Sequence, residues 1–129
     1  MPRGHRSDIE EGILDICRRN SRYRPDAYRF VYEALDYTVR HLGERRHVTG
    51  RELCHGIRQF ALDRFGMLAP EVFREWGVRA TDDFGEIVFA LVERGLMGRT
   101  EQDTRDDFHQ VFDFQRAFVD EFHFDARLN

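Results

Sequence analysis

The sequence predicts a mainly α-helical single domain with about five helices and one β-hairpin. Three observations favour this fold. The 129 residues are 41% hydrophobic and 13% aromatic, which is typical of one folded globular domain. Apolar residues recur at helical spacing in five stretches. Each stretch is bounded by capping residues, by proline or by glycine, which are the usual signals of helix ends.

The N-terminal part, at about 8–43, is predicted to contain two helices. The sequence SDIE at 7–10 fits a capping box and indicates a first helix over about 8–19. The second helix is expected to begin at Pro25 and to end at Gly43. Proline suits the first helical turn, and glycine suits the left-handed residue that often ends a helix.

Three more helices are predicted, each with its own start and stop residues. The third runs from the capping box TGRE at 49–52 to Gly66, the fourth from Pro70 to Trp76, and the fifth from the expected N-cap Thr81 to Gly95.

Two strands are predicted to follow the fifth helix. Residues 96–100 are predicted to form a short strand, and the sequence FHQVFDF at 108–114 alternates in the manner of a half-buried strand. Paired as a hairpin, they would complete a winged-helix-like portion over about 49–114, followed by a C-terminal tail at 115–129. The DNA-reading helix of such a fold would be the fifth one.

That fifth helix is acidic where a DNA reader would need basic residues. Asp82, Asp83 and Glu86 lie at its start, and Glu93 continues the exposed side. Carboxylates oppose binding to a groove bordered by phosphates, so DNA binding through this helix is not expected. The leading hypothesis is a non-enzymatic interaction module whose acidic face binds a protein partner or a second copy of the chain.

Nucleic-acid binding through an arginine-rich segment at 18–29 is the alternative. Residues 1–64 hold 13 Arg and 10 acidic residues, whereas residues 65–129 hold 7 Arg and 14 acidic residues. Arginine can contact phosphates, and an interleaved tyrosine can stack on bases. The residues concerned are Arg18, Arg19, Arg22, Tyr23, Arg24 and Arg29. The simpler interpretation is a solvated helix connection whose arginines pair with nearby carboxylates.

No motif of known catalytic chemistry is present in the sequence. It contains no nucleophile elbow, no Walker loop, no GxGxxG and no HExxH, so no catalytic, metal or cofactor site is predicted. An unrecognised enzyme is the third alternative, because catalytic triads can assemble from distant residues. Neither a signal peptide nor about 18 consecutive apolar residues are found, and a cytoplasmic protein without a membrane span is expected.

Three stretches carry a family resemblance: YRFVYEALDYTVRHLG at 28–43, TGRELCHGIRQFALDRFG at 49–66 and DFGEIVFALVERGLM at 83–97. Together they resemble a family of small conserved hypothetical proteins described mainly from planctomycete and verrucomicrobial bacteria, over roughly residues 8–118. No activity is established for that family. The resemblance therefore implies a compact cytoplasmic protein and assigns no functional residue.

Overall fold

Five α-helices form the part of the chain that the computed structural model describes, which is residues 6–43, 47–98 and 104–120. The helices are α1 (Arg6–Arg19), α2 (Pro25–Leu42), α3 (Gly50–Phe65), α4 (Ala69–Trp76) and α5 (Thr81–Glu93). The described residues also form two short 3-10 turns, at Gly66–Leu68 and Arg105–Phe108, and a π-helical turn at Arg116–Asp120. The prediction of a mainly helical chain is confirmed. No helix within these ranges is both long and apolar enough to cross a membrane.

Most predicted helix ends agree with the structure. The second helix begins at Pro25, and Gly43 follows it with a left-handed φ of 76°. Thr49 and Glu52 form both hydrogen bonds of the predicted capping box. The first helix differs, because it already includes Arg6, so the residues predicted as its cap lie in its first turn.

The predicted hairpin is wrong, since no residue of 6–43, 47–98 or 104–120 belongs to a strand. Leu96 is buried, and its N–H donates to the carbonyl of Leu91 at 2.9 Å, which closes the end of α5. Phe108 ends a 3-10 turn, and Gln110 has a positive φ of 47°. Residues 99–103, which would include the hairpin tip, lie outside the described residues.

Packing of aromatic rings explains why the alternating run is not a strand. Phe112 and Phe114 stack with ring centroids 5.8 Å apart, and Phe114 meets Phe118 at 5.3 Å. Phe118 in turn lies 5.4 Å from Phe73 of α4. The alternation thus arises from turns that direct their rings into one core. Without its hairpin, the winged-helix-like topology predicted for 49–114 is not formed by the described residues.

The position of Thr81 also differs from the sequence prediction. The threonine was expected to be the N-cap of α5, but it lies inside the first turn and is fully buried. Its hydroxyl donates to the carbonyl of Phe108 at 2.6 Å and accepts from the N–H of Val111 at 3.1 Å. These two bonds satisfy backbone groups that a strand would have paired with another strand.

The second helix lies at the centre of the structure and packs against each of the other four helices. The helices α2 and α3 approach closely at Gly56, where an added Cβ would overlap the Thr38 side chain. The α1–α2 connection rests on the end of α4, because the N–H of Arg24 donates to the carbonyl of Trp76 at 3.1 Å. This support fixes the connection beside α5.

Candidate binding cleft

A cleft of about 270 Å³ opens between α1, the α1–α2 connection and α5. Its charged lining consists of four arginines and three carboxylates, and three aromatic rings, two apolar side chains and one asparagine form the rest. The lining residues are Asp15, Ile16, Arg19, Asn20, Arg22, Tyr23, Tyr28, Glu86, Phe89, Ala90, Glu93, Arg94 and Arg105. The cleft therefore brings together one side of the predicted acidic helix and part of the predicted arginine-rich segment.

One face of α5 forms a wall of the cleft. Glu86, Phe89, Ala90 and Glu93 follow the spacing i, i+3, i+4, i+7, which places them along one side of a helix. Glu86 and Glu93 were both predicted on the acidic face. This spacing was visible in the sequence, so Phe89 could have been assigned to the same surface.

The other two predicted acidic residues do not line the cleft. Asp83 is only 6% exposed, so it is buried in the protein and does not belong to an exposed acidic face. Its Oδ2 accepts from the N–H groups of Arg79 at 2.8 Å and Ala80 at 3.1 Å at the start of α5. Asp82 is exposed and binds Nδ1 of His109 at 2.7 Å.

Tyr23 lies at the base of the cleft and is 3% exposed. Its hydroxyl donates to Oδ1 of Asp83 at 2.5 Å, and Arg22 Nη2 reaches the same oxygen at 3.2 Å. Burial, followed by the bond to Asp83, raises the pKa of Tyr23 well above its ordinary value, so the hydroxyl stays a donor. A ring this buried cannot stack on a nucleic-acid base, contrary to the sequence interpretation of Tyr23.

Most of the arginines predicted to bind nucleic acid form ion pairs with carboxylates of the protein. Arg18 and Arg19 approach Asp15 at 3.7 and 3.6 Å. Arg29 binds Glu10 at 2.6 Å, and this hydrogen bond raises its pKa. Arg24 is exposed but does not line the cleft, whereas Arg19 and Arg22 do. The ion pairs agree with the simpler interpretation of a solvated helix connection.

Two cleft arginines come from parts of the chain that the sequence interpretation did not include. Arg94, just after α5, donates from Nε to Asp15 at 3.0 Å, and this bond is the main reason that the pKa of Asp15 is lowered. Arg105 binds Glu86 at 3.3 Å and lies over the ring of Phe89 at 5.4 Å. Contacts between positions so far apart leave no local sequence signal.

Segment 104–111 positions Arg105 at the cleft. The segment is held to the start of α5 by Thr81 and by the pair of Asp82 with His109. The hydrogen bond between the two side chains is the main cause of both pKa shifts, lowering that of Asp82 and raising that of His109. The wall that carries Arg105 is thus held by two hydrogen bonds of the buried Thr81 hydroxyl and by the exposed pair of Asp82 with His109.

No group of three or more metal-ligating side chains occurs within the described ranges. Both cysteines, Cys17 and Cys54, are free thiols, and Cys54 is fully buried. Burial raises the pKa of Cys54 to about 12, so its thiol is not available as a thiolate at neutral pH. A second, more open cavity of about 430 Å³ lies between α3 and residues 111–117, with His55 and Phe112 in its lining.

Comparisons of the chain with protein families, with curated proteins and with solved structures gave no match. The resemblance to the planctomycete and verrucomicrobial family stays a prediction.

Proposed function

We propose that this protein is a non-enzymatic binding module and that its cleft binds a carboxylate of a protein partner. The observation that carries the proposal is the gathering of four guanidinium groups, those of Arg19, Arg22, Arg94 and Arg105, around a cleft with an aromatic wall. Arginine binds carboxylates through two parallel N–H bonds, which gives such a site both affinity and orientation.

The cleft arginines keep hydrogen-bonding capacity for a ligand. Arg94 and Arg105 each make their ion pair through Nε, with Asp15 and Glu86 respectively. A guanidinium has five N–H donors, so the Nη edge of either side chain can still bind an incoming carboxylate. Arg105 is 66% exposed, which leaves this edge accessible from solvent.

The other groups at the cleft support binding more than catalysis. Asp83, which lies behind Tyr23 and does not line the cleft, already accepts hydrogen bonds from a tyrosine, an arginine and two backbone N–H groups. Tyr23 is buried and its pKa is raised, so it is poorly suited to serve as a base. A general base must reach a proton of the substrate and hold a pKa near the working pH.

A protein partner fits the charge pattern better than a nucleic acid does. Glu86 and Glu93 stand in the same cleft as the arginines, and the whole chain carries a net charge of −4. A nucleic-acid backbone presents phosphate after phosphate and is bound by surfaces with a broad excess of basic residues. A single carboxylate is bound by one guanidinium through two parallel N–H bonds and needs no broad basic surface.

Two matched peptides test this proposal. The first is Ac-Gly-Glu-Tyr-Gly-NH2, and the second has Gln in place of Glu. Each is titrated into the full chain at low salt while backbone amide shifts are recorded by NMR. We expect saturable shifts in α5 and the α1–α2 connection with the Glu peptide, and at least tenfold weaker binding of the Gln peptide, since a charge-assisted bond contributes about 1.5–3 kcal/mol.

Substitutions locate the binding site. Arg105→Gln and Arg94→Gln are expected to weaken binding of the Glu peptide, whereas Arg74→Gln is the control, because Arg74 is exposed on α4 and does not line the cleft. Circular dichroism checks that each variant is folded. Equal binding of both peptides, or the same loss in all three variants, would overturn the proposal.

A further inference from the structure

We infer that the cleft selects a dipolar segment of its protein partner. Such a segment carries a carboxylate and a cationic side chain only a few residues apart. The inference rests on the proposed function and specifies its partner. Its starting point is Glu93, an exposed cleft carboxylate that forms no ion pair with any described residue.

The other two carboxylates of the cleft are already paired. Asp15 accepts from Arg94 at 3.0 Å and lies near Arg18 and Arg19. Glu86 binds Arg105 at 3.3 Å. Two of the three cleft carboxylates thus have ion-pair partners among the described residues, whereas Glu93 has none there.

Glu93 cannot easily use the neighbouring arginine of its own helix end. Arg94 is the next residue, and successive residues of a helix point about 100° apart. Arg94 is also bound to Asp15 of α1. The carboxylate of Glu93 instead lies on the same α5 face as Phe89 and Ala90, next to the apolar part of the wall.

A dipolar group is the ligand that satisfies both kinds of charge. A plain anion bound by the arginines would be repelled by Glu93. A plain cation bound by Glu93 would meet a lining in which four guanidiniums outnumber three carboxylates. The volume of about 270 Å³ is slightly below that of pockets for drug-sized molecules, about 300–1,000 Å³, so there is room for one or two side chains. An acidic and a basic side chain close together on one segment fit this space.

Three peptides of equal length distinguish the possibilities: Ac-Gly-Glu-Tyr-Lys-Gly-NH2, the same peptide with Gln for Lys, and the same peptide with Gln for Glu. They are titrated into wild-type protein, Glu93→Gln and the control Glu75→Gln by NMR. Glu75 is exposed on α4 and does not line the cleft. We expect the Glu–Lys peptide to bind wild type about threefold tighter than the Glu–Gln peptide, which is the size of an exposed ion pair.

The substitution of Glu93 is expected to remove this preference, because the cationic group then loses its counter-charge. The control variant is expected to keep it. If wild type binds the Glu–Lys and Glu–Gln peptides equally, or if Glu93→Gln keeps the preference, the dipolar inference is wrong while the proposed carboxylate site stands. If no peptide binds, or the Gln–Lys peptide binds best, the proposed function itself fails and the inference fails with it.

Discussion

The hydroxyl of Tyr23 donates a 2.5 Å hydrogen bond to Oδ1 of Asp83, joining the α1–α2 connection to the start of α5 across 60 residues of sequence. Both residues are buried, and Oδ2 of Asp83 also accepts the backbone N–H groups of Arg79 and Ala80. One carboxylate therefore caps a helix and holds the base of the cleft.

Loss of the Tyr23 hydroxyl and loss of the Asp83 carboxylate are both expected to destabilise the fold, but to different extents. Tyr23→Phe removes one hydrogen bond to a charged group and should lower the free energy of unfolding by about 2 kcal/mol. Asp83→Ala leaves the tyrosine hydroxyl and two backbone N–H groups without their acceptor, so its cost should be larger. Urea denaturation at neutral pH measures both values.

The exposed neighbour serves as the control for this comparison. Asp82→Ala removes a solvent-exposed pair with His109 and should lower the free energy of unfolding much less than Asp83→Ala does. A smaller loss of stability for Asp83→Ala than for Tyr23→Phe would contradict the shared role of the carboxylate.

The buried hydroxyl of Thr81 offers a second prediction. Thr81→Val keeps the side-chain shape but leaves the carbonyl of Phe108 and the N–H of Val111 without their partner. Each unsatisfied buried group costs about 1–3 kcal/mol, so the variant should be clearly less stable than wild type. Hydrogen exchange provides a local measurement, because the Val111 amide should lose protection. Thr81→Ser keeps the hydroxyl and should preserve that protection.

The α2–α3 crossing at Gly56 yields a third prediction. Gly→Ala inside a helix normally stabilises by about 1 kcal/mol. A Cβ at Gly56 would overlap Thr38, whose hydroxyl is held by the carbonyl of Ala34 at 2.7 Å. Gly56→Ala should therefore destabilise, since overpacking costs about 1–3 kcal/mol.

A double variant tests whether overlap with Thr38 is the cause. Thr38→Ala removes the hydroxyl, although the Cβ of residue 38 would still lie 2.8 Å from the new Cβ. The double variant Gly56→Ala/Thr38→Ala should therefore be more stable than the sum of the two single changes predicts. Strict additivity in thermal unfolding would mean that another contact is responsible.

Local signals made the helices predictable. Pro25 and Gly43 bound α2 as expected, and the reciprocal bonds of Thr49 and Glu52 need only residues three apart. Such signals act within one turn of chain, so the sequence contains them in full. Glu86 and Glu93 were likewise assignable to one α5 face from their spacing.

Long-range contacts explain the errors. Thr81 has the residue type and position of an N-cap, but its hydroxyl binds the backbone near Phe108 instead, and Asp83 takes the capping bonds. Asp83 looked like a surface acid because its partner Tyr23 is 60 residues away. The alternating aromatics near Phe114 satisfied a strand pattern while packing from turns into the core.

The pair of Asp82 and His109 predicts a pH window of extra stability. Their hydrogen bond raises the pKa of His109. The stabilisation that comes from protonated His109 is therefore complete below about pH 6.5, the ordinary pKa of histidine, and is lost as the pH rises through the folded-state pKa. The same hydrogen bond lowers the pKa of Asp82, so the stabilisation that comes from its carboxylate is present above about pH 3.8 and is lost as the pH falls through the folded-state pKa. The pair therefore stabilises most between these two values.

The measurement compares wild type with His109→Gln in urea from acid to alkaline pH. The difference between the urea midpoints of wild type and His109→Gln should be largest between about pH 3.8 and 6.5 and should shrink above that range. High salt should reduce the difference, because the pair is exposed and therefore screened. An NMR titration that gives the His109 ring a pKa at or below 6.5 would contradict this prediction.

The arginine-rich segment gives the last prediction, which concerns nucleic acids. Arg18 and Arg19 lie near Asp15, and Arg22 binds Asp83, so these cations already have counter-charges within the protein. We expect no measurable binding of mixed DNA or RNA oligonucleotides at about 50 mM salt, where binding driven by counterion release is strong. Fluorescence anisotropy measures this directly. An affinity that falls with added salt and disappears when Arg18, Arg19, Arg22 and Arg24 are replaced together by Gln would instead favour the nucleic-acid hypothesis.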